Sequence, residues 1–239
     1  MATAIARIYV AEGFTVAADG RERNTETGVI ASDSEQKSFG LHHRRGDLAC
    51  AVTGAGRIGE NYRLSEYLPR LATELENSDA RNIGEYADQL GNDLKQSIDW
   101  RCPWLRKPIT IYLLVDGYID GRSGRAKVTI VCGGSPTLVR VESQDLYPGK
   151  SIGYGSSAIH HSLFAEILRH EQLRPYWTVC RQEVHTLDQS AAVARAIIAA
   201  HCDSRVAELD NSHCVSIGGH IHIAQITTKG FAWRIPPHV

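Results

Sequence analysis

The stretch TAIARIYVAEGFTVAADGR, Thr3 to Arg21, decides how the rest of the chain is read. Ala4 to Val10 is one apolar strand pattern and Gly13 to Ala18 a second, with Ala11 and Glu12 between them as a tight turn. In the second run Phe14, Val16 and Ala18 alternate with Thr15, Ala17 and Asp19. Successive strand residues point to opposite faces, so this small, apolar run delivers an acid and then a base, Arg21, at its end. By residue type alone Asp19-Gly20 also serves as turn chemistry, and Thr3 is an ordinary β-former.

Outward from this hairpin the first block stays strand-like. A polar loop, GRERNTETG, leads to a strand near Lys37 to His42 and to DLACAVTG, which ends at Gly54; HHRRGD between them is a charged turn. Ile58, Tyr62, Leu64, Leu68, Leu71 and Leu75 recur at helical steps, with a kink or break expected at Pro69. Ile83, Tyr86, Leu90, Leu94 and Ile98 repeat the period after the capping residues of SDARN. ITIYLLVDGYID, KVTIVCGG, TLVRVES and a piece near Ile152 form a second strand block. GYGSS opens a helix through Ile159, Leu163, Ile167 and Leu168. A loop with Pro175 precedes a helix from Leu187 that includes AAVARAIIAAH. CVSIGGHIHIAQIT and GFAWRI close the chain as strands. Two strand groups separated by helix pairs predict an α+β protein, a four-layer αββα sandwich, as a single domain over residues 1–239.

Composition narrows the function classes. The chain has 239 residues and a formal net charge of -1, which favours neither nucleic acid nor an anionic membrane as partner. No apolar run approaches the roughly 18 residues of a membrane span, and no charged-then-apolar signal opens the sequence, so the expected location is the cytoplasm. Cys50, Cys102, Cys132, Cys180, Cys202 and Cys214 are scattered without a C-x-x-C pair and read as reduced, buried thiols. His213, His220 and His222 lack a Cys or carboxylate at metal-site spacing and read as packing or exposed side chains; neither a metal nor a cofactor is expected. GYGSS lacks the lysine of a phosphate loop and reads as a helix start.

The opening stretch resembles the start of a proteasome β-type subunit, a family of N-terminal nucleophile hydrolases. Thr3, then a strand, a turn at Gly13 and VAADGR follow that family's order; SDSEQKSFGL is similar to its lysine segment and AVTGAG to its strand-end glycine segment. The resemblance implies Thr3 as nucleophile, Lys37 as the cation beside it and Asp19 as the partner that holds Lys37. It also implies Gly54 as oxyanion donor through its N–H and Arg21 as the tie beneath the site. The chemistry requires such residues. A threonine hydroxyl needs a base, which in this class is the nucleophile's own α-amine, titrating near pH 8 when unperturbed. An ammonium alongside favours the alkoxide, and a carboxylate orients the ammonium. The implied substrate is a peptide or other amide, and the implied assembly is self-association, including rings.

The pattern also departs from the family. Thr3 becomes N-terminal only if Met1-Ala2 is removed, by attack of its own hydroxyl on the Ala2 carbonyl. Tyr154 stands where a supporting serine is expected, with Ser156 following. SHCVSIGGHI replaces a D-x-x-S-G-G-like segment, so that His213 or Cys214 takes the acid's place and Ser216 is out of register. Three readings follow: a threonine hydrolase, a non-catalytic subunit of the same fold, and an amidase acting on a small metabolite.

Overall fold

The structure, a computed structural model, describes residues 3–24, 27–59, 62–133, 138–164, 170–210 and 216–238. The chain divides into two compact units: Met1–Ser38 with Tyr147–Gln225 and Trp233–Val239, and Phe39–Leu146 with Ile226–Ala232.

The first unit begins with the hairpin β1 (Ile5–Val10) and β2 (Gly13–Asp19), whose antiparallel register runs from Ile5↔Ala18 to Val10↔Gly13. The short pair β3 (Glu22–Arg23) and β4 (Ile30–Ser32) follows.

The second unit holds β5 (Ser38–His43), β6 (Gly46–Gly54), β7 (Arg57–Ile58), β8 (Tyr62–Arg63), α1 (Leu64–Glu74) and α2 (Ile83–Arg101). The long strands β9 (Ile109–Ile119) and β10 (Arg122–Cys132) and then β11 (Leu138–Ser143) complete it. Its sheet has the order β11-β10-β9-β6-β5. Helix α2 packs on β10 and β11 through Tyr86, Leu90 and Leu94, and Asn82 caps it by accepting the Glu85 N–H.

Two readings of this unit change. The helix expected from Arg57 begins only at Leu64, because Gly59 adopts φ +62 and turns β7 back onto β8. Pro69 lies inside α1 without ending it. Thr73 donates its hydroxyl to the Pro69 carbonyl at 3.0 Å.

The chain then returns to the first unit through β12 (Ser151–Tyr154), α3 (Ser157–Phe164), α4 (Arg174–Cys180) and α5 (Leu187–Cys202), and ends in β13 (Ile221–Thr227) and β14 (Gly230–Ile235), of which Ile226–Ala232 count with the second unit. The sheet order here is β12-β1-β2-β13-β14. Pro175 falls in the first turn of α4, where a missing N–H costs nothing, so the segment expected as a loop is a short helix. A capping box between Thr186 and Gln189 starts α5. Its small face (Ala191, Ala194, Ala200) lets it lie close on β1 and β2, where Ser190 meets Thr15 hydroxyl to hydroxyl at 2.5 Å.

Cys50, Cys102, Cys132, Cys180 and Cys202 are thiols outside any disulfide; Cys214 lies outside the described residues. No helix among the described residues is long and apolar enough to cross a membrane.

Candidate active site

The hairpin register sets the site. With Ile5 opposite Ala18, Asp19 falls opposite Ala4, one residue after Thr3. The Asp19 N–H donates to the Ala4 carbonyl at 3.1 Å, and the Ala4 N–H donates to Asp19 Oδ1 at 2.9 Å. The other oxygen, Oδ2, accepts from Lys37 Nζ at 3.0 Å, Gly218 N–H at 3.1 Å and Arg21 N–H at 3.2 Å. Asp19 is wholly buried, Lys37 is buried in contact with it, and Thr3 is buried next to Ala4 in the chain. A buried carboxylate is costly unless compensated, and three backbone N–H groups and one ammonium supply that compensation.

Arg21 leaves this cluster and pairs with Asp33, Nε to Oδ1 at 2.7 Å and Nη2 to Oδ2 at 3.4 Å, while Nη1 reaches the Ile217 carbonyl at 3.5 Å. The pairing holds the Asp33 carboxyl below its usual range and raises the guanidinium. Backbone bonds join the same segments: Gly20 N–H to Gly218 O, Glu35 N–H to Gly20 O and His220 N–H to Asp33 O. Gly218 is required where it stands, since it sits at φ +156 and a Cβ there would lie 2.6 Å from the Arg21 guanidinium carbon.

His222 was not singled out as a site residue by spacing, yet its buried Nε2 accepts the Lys37 N–H at 3.3 Å. Accepting there places the ring proton on Nδ1. Burial first, then the charge of Lys37, lowers its pKa from 6.5 to about 3. The unfolded chain therefore binds a proton below pH 6.5 that the native state refuses until about pH 3, so stability falls with pH across that window. Between pH 7 and pH 5 the native protein is expected to lose about 2 kcal/mol more than His222→Gln, read by urea unfolding at both pH values. Equal losses would contradict the assignment.

The other expected positions lie on other elements. Gly54, at φ +95, ends β6 opposite Ile111 and belongs to the second unit. Tyr154 pairs with Ile5 across β12 and β1, and the buried Ser156 hydroxyl accepts the Ile159 N–H at the start of α3. Asp203 is held by Arg205 and by the Tyr176 hydroxyl, with its pKa lowered to about 2 mainly by Arg205. His213 and Cys214 lie outside the described residues, as do Met1 and Ala2. His220 bonds the Pro236 carbonyl at 2.7 Å, and no group of metal-binding side chains occurs among the described residues.

Mixed helices with antiparallel sheets, ordered as above, form an α+β fold. That fold is seen in Anbu (ancestral beta-subunit) from Yersinia bercovieri, which matches 98% of this chain and 88% of its own at 16% identity and a TM-score of 0.57. Anbu from Hyphomicrobium sp. strain MC1 matches 97% of this chain and 85% of its own at 13% identity and a TM-score of 0.55. A Gly-1 mutant from that strain gives 13% identity, 97% and 84% coverage, and a TM-score of 0.58. No family model matches the sequence, and no curated protein matches it. Likeness at this identity establishes the fold alone.

Proposed function

We propose that the chain, read as one domain, is a proteasome-like threonine hydrolase that cleaves peptide or other amide bonds through an acyl-enzyme on Thr3. The observation that carries the proposal is the Asp19 carboxylate, with one oxygen on the Ala4 N–H next to Thr3 and the other on the buried Lys37 ammonium.

Removal of Met1-Ala2 comes first: Thr3 Oγ attacks the Ala2 carbonyl, the Ala2–Thr3 C–N bond breaks to free the Thr3 amine and leave an Ala2 ester on Oγ, and water hydrolyses that ester, releasing Met-Ala and the Thr3 hydroxyl. In turnover that amine takes the Oγ proton as Oγ attacks the substrate carbonyl. The tetrahedral intermediate collapses, the proton passes to the leaving amine, and water then cleaves the acyl ester. Lys37, aimed by Asp19, offsets the negative charge that grows on Oγ. The oxyanion role of Gly54 rests on the resemblance. Self-association in the cytoplasm is part of the same proposal, supported by the word "beta-subunit" in the name of a structural neighbour.

Intact-mass spectrometry tests the first step, with the mature chain expected to begin at Thr3. A β-lactone probe is then expected to add one equivalent, mapped to Thr3 by peptide sequencing. A chain that starts uniformly at Ala2 would sink the proposal. The competing reading, a non-catalytic subunit, draws on Ser156, whose hydroxyl is engaged in starting α3, and it predicts an intact Ala2–Thr3 bond with no adduct.

A further inference from the structure

The second unit carries a hollow of about 640 Å³ beside β7, β8 and the C-terminal end of α2 that the proposed hydrolysis does not use. Its walls are aromatic. Tyr62 and Tyr67 stack with centroids 4.3 Å apart and planes 7° from parallel. Trp104 lies against Gly59, where an added Cβ would come within 2.7 Å of the indole. Trp104 is 54% exposed and Trp100 is 74% exposed, an unusual placement for indoles with nothing to cover.

One charge lines this hollow among the described residues, the guanidinium of Arg101. It sits over the Tyr67 ring at 4.6 Å and the Trp100 ring at 5.1 Å and has no carboxylate partner among the described residues. Ring contacts occupy the face of a guanidinium and leave its N–H edge free for a planar anion. Burial pushes the Tyr62 phenol up to about 12 and raises the Cys102 thiol, so neither adds negative charge at neutral pH. The neighbouring hollow of about 610 Å³ shares Tyr67, Trp100 and Arg101 but adds three acids, Glu74, Asp93 and Asp99, against one further cation, Arg70, and so is less suited to an anion. The volume lies within the range of small-molecule sites, about 300–1,000 Å³, with few polar groups placed among apolar walls.

We infer that this hollow binds a small, flat aromatic anion, its ring against the exposed Trp104 and its carboxylate on Arg101. Neither Thr3 nor its surroundings enters the argument, so the inference stands or falls apart from the proposed hydrolysis.

Titration of the full-length protein with 2-naphthoate, followed by tryptophan fluorescence and calorimetry, is expected to show one saturable site. The uncharged 2-naphthalenemethanol is expected to bind at least tenfold more weakly. Arg101→Gln should weaken naphthoate at least tenfold and leave the alcohol unchanged, whereas Trp104→Ala should weaken both. Equal binding of the two probes, or naphthoate binding untouched by Arg101→Gln, overturns the inference. So does sedimentation in which Trp100→Ala dissociates an oligomer that excludes naphthoate, because the hollow would then be closed by a second copy.

Discussion

Asp19→Asn is expected to destabilise the protein by about 3–5 kcal/mol, clearly more than Lys37→Met. The asymmetry follows from the donors. Asp19 accepts three backbone N–H groups besides the lysine, so without Lys37 its carboxylate still has Ala4, Arg21 and Gly218. An asparagine has an acceptor on one side only. Whichever way its amide is turned, an NH2 faces at least one buried backbone donor, and the Lys37 ammonium is left without a counter-charge. Urea unfolding reads the order directly; a larger loss for Lys37→Met would contradict this account. Activity should not follow stability. Both variants are expected to lose β-lactone labelling by about a hundredfold or more, since each removes an aimed cation from the nucleophile. Full labelling of folded Lys37→Met would remove the lysine from the mechanism.

The second large effect lies away from the site. Asp116 and Arg125 face each other across β9 and β10, both wholly buried, with Arg125 Nε donating to Asp116 Oδ1 at 2.5 Å. Arg125→Met and Asp116→Leu should each cost about 3–5 kcal/mol, because each breaks a buried ion pair inside the second unit. The double variant should cost less than the sum by more than about 1 kcal/mol, since the interaction between the two groups is counted in both single variants but lost only once. Additive losses in urea unfolding would show that the two charges are not coupled.

What the sequence disclosed is what depends on local pattern. The β1–β2 hairpin followed from alternation around a two-residue turn, and α2 from its period and the Asn82 cap. Arg57–Arg63 misled because Ile58 and Tyr62 keep helical spacing while the backbone between them turns at Gly59. Pro175 misled because a proline in a first helical turn looks, in sequence, like one in a loop. At the site, Asp19 and Lys37 were legible through a resemblance carried by the first fifty-six residues. Asp33, Gly218 and His222 were not. Their roles arise from backbone donors and a ring nitrogen meeting residues far away in sequence, and no spacing rule reports such meetings.

The bond from Gly218 to Asp19 spans nearly the whole polypeptide. While residue 218 is still unmade, the carboxylate lacks one of its donors and the Arg21 guanidinium lacks the carbonyl of Ile217. On the proposed chemistry, the carboxylate that aims Lys37 is complete only once residue 218 has joined it, so self-cleavage before Thr3 is expected to follow the docking of this late segment.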